Sequence, residues 1–479
     1  MSNIQSIRRA IVEALPITTS NYGEAPDRRV MYVPPAHIKA LRLECNIVIG
    51  ARGVGKSFWT AALGSSRLRT LLGASVRELE SANVRIGFAV TPRIDSYPDS
   101  AVFGQLLDAN IPAYDIWQAV IVRWLAETIG EALPVEDWST TVAWVRNNPT
   151  LLARLAERAN QKFEGDRRYG LVVFDALDRT SNNWQTMDQI VRDLLRVTLW
   201  LKSFPRLTAK IFLREDQADR IVTNFPDASK LLATRAELTW ARHDLHGLLW
   251  QMLCNVSGSH GQALRSIYGE VVKTPLHENG GVWQLAEEVK RESEAQRALF
   301  EKLAGKWMGN DPRRGVPYVW SVSHLADGRQ RTSPRSFLAA IRAAAEDSLE
   351  RYPDHPFALH YESIRRGVKK ASQIRVDEMV EDYPWVTELM KPLRGLTVPC
   401  PFEVIKERWE EHFPGGLDYA AIVSKRLPPQ HIAQGWDGVC DDLERIGIFE
   451  KMRDKRINMP DLYRIGFGLG RRGGVKPIR

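Results

Sequence analysis

Cysteine is scarce in this chain: 479 residues hold only Cys45, Cys254, Cys400 and Cys440. The four lie far apart, with no pair at metal-ligand spacing, which argues against structural zinc and fits a reducing cytoplasm. Long apolar runs are missing as well, and none reaches the ~20 residues that a membrane-spanning helix needs. The opening Met1-Ser2-Asn3-Ile4-Gln5 does not start a secretory signal, so a cytoplasmic protein without membrane contact is expected. No internal repeat and no low-complexity tract occurs. Excess charge is confined to one place. The net charge is +8, but residues 451–479 alone carry nine Lys/Arg against Asp454 and Asp461, leaving the preceding 450 residues close to neutral. Such a basic tail suggests a polyanion contact, with a solvated terminus as the alternative. What remains, with 44% hydrophobic and 26% charged residues, is a globular chain long enough for two to four domains.

Against these absences one stretch stands out, Gly50-Ala51-Arg52-Gly53-Val54-Gly55-Lys56-Ser57. It follows the apolar run Asn46-Ile47-Val48-Ile49 and precedes a helix beginning near Phe58, the strand–loop–helix setting that a phosphate-binding loop requires. Glycines let the backbone turn tightly with its N–H groups inward, and the helix N-terminus adds partial positive charge. Lys56 is placed to reach the β/γ-phosphates of ATP, and the Ser57 hydroxyl to complete a Mg²⁺ shell. A second run, Leu171-Val172-Val173-Phe174, ends in Asp175-Ala176-Leu177-Asp178-Arg179. It reads as a buried parallel strand delivering a carboxylate to the sheet edge where ligands bind. Asp175 is expected to support Mg²⁺ through water, and Asp178 to orient or deprotonate the attacking water. A later strand ends at Arg214, which either senses the γ-phosphate or pairs with Glu215 or Asp216. No N-K-x-D base-reading motif and no L-S-G-G-Q signature occurs, which disfavours a GTPase and an ABC ATPase.

In chain order, residues 1–40 read as an N-terminal arm lying on the ATPase domain. Residues 41–245 read as that domain, with five strands: Asn46–Ile49, Val84–Val90, Leu171–Phe174, Ala209–Leu213 and Ala236–Trp240. Helical crossovers between them imply a parallel α/β sheet with helices on both faces. Trp117, Trp124, Trp138 and Trp144 are taken as core. Residues 246–350 read as an all-helical lid, with Leu245–Val256, Val282–Leu303 and Ser336–Leu349 as helices. Ser333 caps the last of these, and Arg335 at its start either turns toward the nucleotide or stays on the surface. Residues 351–479 read as a helical linker and a winged-helix-like domain: helices 402–413, 417–425 and Trp436–Ile446, then a hairpin around Arg453-Asp454-Lys455.

Together these residues resemble the AAA+/STAND group of P-loop ATPases, in a bacterial branch often found in antiphage defence. Phe174 to Asp178 match the family's acidic motif up to its last position, where Arg179 replaces the usual Glu. The resemblance covers roughly residues 40–350 and is architectural beyond. It implies that Gly50 through Phe58 hold ATP, Ser57 and Asp175 the Mg²⁺, and that Arg214 and Arg335 are sensors. It also implies that Arg235 is a finger completing a neighbouring subunit's site, hence a homo-oligomer. With no fused repeats or effector, a separately encoded effector or sensor is expected. Two functions follow as expectations: an oligomerising ATP-driven switch in antiphage defence, or a DNA-bound ATPase of the initiator or loader kind with weak DNA contact through residues 451–479. A nucleotide-binding scaffold with little turnover is the third, and Asp178 speaks against it.

Overall fold

The computed structural model describes residues 2–15, 24–218, 221–416 and 427–471. The chain divides into two compact units, one of residues 20–26 and 35–239, the other of residues 1–19, 27–34 and 240–479.

The first unit is built on five parallel strands: β1 (Ile47–Ile49), β2 (Asn83–Phe88), β3 (Gly170–Phe174), β4 (Leu207–Leu213) and β5 (Ala236–Glu237). Their order across the sheet is β2-β3-β4-β1-β5. The central strands are apolar at nearly every position and buried at all but Thr208, as they must be when helices cover both faces. Helix Trp184–Leu201 buries Ile190, Leu194, Val197 and Leu201, the stripe its sequence spacing implies. Trp117, Trp124 and Trp138 are core residues as expected, while Trp144 is half-buried. Strand β5 is shorter than its sequence suggests, ending at Glu237, although the Leu238 N–H still donates to the Ile49 carbonyl at 2.8 Å.

Two buried polar contacts fasten this sheet from below and beside the phosphate loop. Lys210 lies in the middle of β4 and is fully buried, its ammonium donating to the carbonyls of Ala40 (2.6 Å), Arg42 (3.0 Å) and Cys45 (2.6 Å). Burial pushes its pKa down to about 8. His37, in the short helix Pro35–Leu41, accepts from the Trp59 indole N–H at 3.1 Å, and its other nitrogen lies 3.0 Å from the Thr239 carbonyl. Those partners fix a neutral ring with the proton on Nε2, in line with a pKa that burial lowers to about 4.

The second unit is mostly helical. Helix Ser2–Ala14 belongs to this unit, whereas residues 35–40 of the expected arm belong to the sheet unit. Its buried Arg8 explains the placement: the guanidinium donates to the carbonyls of Ala358 (2.9 Å), Phe357 (3.0 Å), Pro353 (3.2 Å) and His355 (3.3 Å). Helices Pro334–Arg351 and Tyr361–Asp382 pack so closely that a Cβ at Gly367 would stand 2.2 Å from the Ala340 carbonyl oxygen. The expected lid and linker therefore meet in one core. Helix Arg242–Cys254 matches expectation, but the helix expected over Val282–Leu303 is largely replaced. Val282–Gln284 pairs antiparallel with His277–Asn279, and helix begins only at Glu294. The turn between the strands has Gly280 and Gly281 at φ 58° and 79°, a left-handed pair that favours a tight hairpin over a helix start.

At the C-terminal end, helices Phe402–His412 and Gly435–Arg445 precede an antiparallel pair, Glu450–Lys451 with Ile457–Asn458. This is the helices-and-wing arrangement expected. The expected helix 417–425 and the basic residues Arg472, Lys476 and Arg479 lie outside the described residues. Arg464, one of the nine basic residues of the tail, is not on the surface at all: it is fully buried, with Nε and Nη2 on the Asp461 carboxylate at 2.8 and 2.5 Å.

Candidate active site

Every element of the site sits at the C-terminal ends of the parallel strands. β1 leads into the loop Gly50–Gly55, and the Gly50 N–H donates to the Leu213 carbonyl of β4 at 3.0 Å. Gly53 and Gly55 take φ of 80° and 105°, which side chains other than glycine rarely adopt, and Gly55 starts the helix Lys56–Gly64. At Gly50 a Cβ would fall 2.7 Å from the Val54 side chain, so the loop closes only without one. The Lys56 ammonium donates to the Gly50 and Ala51 carbonyls at 2.7 and 3.0 Å, which arches the side chain over the loop.

Strand β3 hands Asp175 to the same place. It is buried, and the Ser57 hydroxyl donates to its Oδ2 at 2.7 Å. Two hard oxygen donors this close, with a lysine beside them, fit a hexacoordinate divalent cation of the Mg²⁺ type. Burial pushes the Asp175 pKa up, opposed by the Ser57 hydrogen bond and the Lys56 charge. Burial pushes Lys56 down to about 8, opposed first by Asp175. Each group's charge thus partly offsets the cost of burying the other.

Strand β4 lies between β1 and β3, so Arg214 emerges level with Gly50, between loop and acid. Its guanidinium bridges two carboxylates, Asp178 at 3.5 Å and Asp216 at 3.2 Å, and its backbone N–H donates to the Gln217 side chain at 3.0 Å. Asp178 sits in the short turn Leu177–Arg179, entered through Ala176 in the left-handed region at φ 59°. Sequence reasoning offered sensing or an ion pair for Arg214. The structure has the ion pair, and adds Asp178 as the second partner, which no spacing rule could supply. Arg179, standing where a Glu was expected, is exposed.

Arg235 is not brought into this cluster. Arg235 is exposed at the entry to the edge strand β5, level with Ile47 and about three residues short of Gly50. Arg335, in the second unit, donates from Nη1 to Glu378 at 2.6 Å.

No protein-family model matches the chain, and no curated protein matches it. Two solved structures are similar over most of its length. One is of the Aeropyrum pernix ORC2 protein in ADPNP and ADP complexes, 12% identical, with 91% of this chain and 94% of that chain covered and a TM-score of 0.42. The other is of the Aeropyrum pernix ORC1 protein in complex with DNA, also 12% identical, covering 92% and 93% with a TM-score of 0.36. Likeness at this level assigns no residue a role.

Proposed function

We propose that this chain is a Mg²⁺-dependent ATPase of the AAA+ kind that works on duplex DNA, as an initiator or loader does. The observation that carries the ATPase reading is the convergence of Lys56, Ser57, Asp175, Asp178 and Arg214 on one strand edge. The loop amides and Lys56 would bind and orient the β/γ-phosphates. Ser57, with Asp175 through water, would hold Mg²⁺, which when bound neutralises phosphate charge. Asp178 would position and deprotonate the attacking water, with Arg214 holding its carboxylate in place and facing the γ-phosphate.

The DNA reading rests on the wing. Lys451, Arg453, Lys455 and Arg456 are all exposed around its tip, with Asp454 paired to Arg456 at 2.7 Å. No Asn or Gln stands among them to read base edges, so phosphate contact without sequence preference is the expected mode. With about four contacts, affinity for a fluorescent duplex should fall roughly 50-fold between 50 and 150 mM salt. Reversing the four wing charges to Glu should abolish it while ATP turnover persists. Binding that survives the reversal, or an absence of binding at low salt, removes the loader reading. A truncation at Asp461 is unsuitable for this test, because it deletes the buried Tyr463 and Arg464.

Arg235 is proposed as a finger for a neighbouring subunit, on the strength of its exposure at the sheet edge outside its own site. An arginine given in trans is worth on the order of 10³ in rate. Mixing Arg235→Ala with Lys56→Ala protein should therefore restore turnover that neither has alone. A strictly linear dependence of rate on concentration, without rescue, leaves Arg235 a surface residue. The antiphage-switch expectation, with its separate effector, has only the motif resemblance behind it.

A further inference from the structure

Strand β2 is the sheet's outer edge on the side away from the phosphate loop, and among the described residues it pairs only with β3. The Asn83 N–H donates to the Tyr169 carbonyl at 2.8 Å, so Asn83 and, two residues on, Arg85 turn their backbone groups toward β3. By alternation the backbone groups of Val84 and Ile86 face outward. A cavity of about 540 Å³ lies on that side, lined by all four consecutive residues Asn83 to Ile86. Successive side chains point to opposite faces of a strand, so a cavity touching four in a row follows its edge. Trp124 and Glu127 of helix Ala113–Ile129 wall it, as does Lys162 of helix Pro149–Gly165.

The slot is rimmed by cations. Arg85, Arg93, Lys162 and Arg168 line it against Glu127 and Asp166. Arg85 is paired with Glu127 and donates to the Ser96 hydroxyl at 3.2 Å. The Lys162 ammonium is anchored on the Thr128 carbonyl at 2.5 Å and Arg168 Nε on the Ser81 carbonyl at 2.7 Å. Neither of those anchors supplies a counter-charge. Burial, with Arg93 beside it, pushes the Arg85 pKa down.

We propose that this edge receives an extended acidic segment of a partner protein as a sixth strand. Its main chain would ladder onto Val84 and Ile86, and its carboxylates would meet Arg85, Lys162 and Arg168. A free phosphate or a small carboxylate answers the cations but leaves the row of backbone groups unmet. An extended peptide answers both, and the four lining residues span about 13 Å, enough for roughly four residues of ligand. This inference is independent of the nucleotide site.

The test is fluorescence anisotropy on the full chain with an eight-residue peptide alternating Glu and Val. The acidic peptide should bind and its Lys/Val counterpart should not. N-methylation of alternate peptide nitrogens removes ladder donors without touching the protein, and should weaken binding roughly tenfold or more. Val84→Pro deletes one outward N–H at an edge position where proline is tolerated, and should weaken binding with the melting temperature kept. Arg85→Ala and Arg168→Ala should weaken it further. Equal binding of methylated and unmethylated peptides overturns the proposal, because charge alone would then account for it. Full displacement by pyrophosphate in a Lys56→Ala background does so too, since the slot would then be a small-anion site. Absence of binding means that the charges merely shield an edge from aggregation.

Discussion

Lys56→Ala is expected to leave a folded protein with no measurable ATP binding and turnover reduced at least about 10³-fold. The ammonium is already arched over the loop by two carbonyls, Gly50 at 2.7 Å and Ala51 at 3.0 Å, and does not have to search for its position when phosphate arrives. Among the described residues it is also the site's only lysine. Arg214, the other cation whose charge acts on Lys56, is committed to Asp178 and Asp216. Truncation therefore removes the positive charge proposed to meet the β/γ-phosphates and leaves Asp175 buried without its counter-charge. Lys56→Met keeps the side-chain volume and separates the loss of charge from loss of packing. Radiolabelled ATP binding and phosphate release read the result, with circular dichroism as the folding control. Normal hydrolysis in a folded variant would falsify the ATPase reading altogether.

The second large effect separates the two acids. Asp178→Asn should retain ATP yet hydrolyse it about 10² to 10⁴ times more slowly, the range in which general-base contributions fall. Asp175→Asn should instead raise the Mg²⁺ concentration needed for binding, because Asn cannot supply the charge that the Ser57–Asp175 pair presents. The Arg214 bridge gives the experiment a third arm. Arg214 holds Asp178 at 3.5 Å, so Arg214→Ala should lower kcat in the same direction while leaving ATP affinity less affected. If Asp178→Asn turns over normally while Asp216→Asn does not, the water-orienting carboxylate is Asp216, on the other arm of the bridge.

The phosphate loop, the five strands and the acid at the end of β3 were legible because each is a local pattern. An apolar run that must be buried on both faces, a glycine spacing and a terminal carboxylate need no knowledge of distant residues. Local patterns also misled where a neighbour in space outweighed them. Val282–Leu303 has helical composition, yet the glycine pair at 280 and 281 turned its start into a hairpin. Arg464 counts as tail charge in the sequence but is folded onto Asp461, whose carboxyl His324 also holds at 2.5 Å.

By itself, then, the sequence determined that a strand–loop–helix unit would set Lys56 and Ser57 directly behind a glycine loop, because those residues are contiguous and their geometry is set by the backbone. It likewise determined that an Asp-tipped parallel strand would face the same edge. Only the tertiary structure decided that β4 lies between those two strands, which puts Arg214 between loop and acid and ties it to Asp178 and Asp216. It alone seated Lys210 on three carbonyls, linked His37 to Trp59 and Thr239, and left β2 as an open edge lined with arginines. Strand order and buried polar pairing depend on residues tens to more than two hundred positions apart. Which of them meet is fixed by how the layers pack, and no spacing along the chain records it.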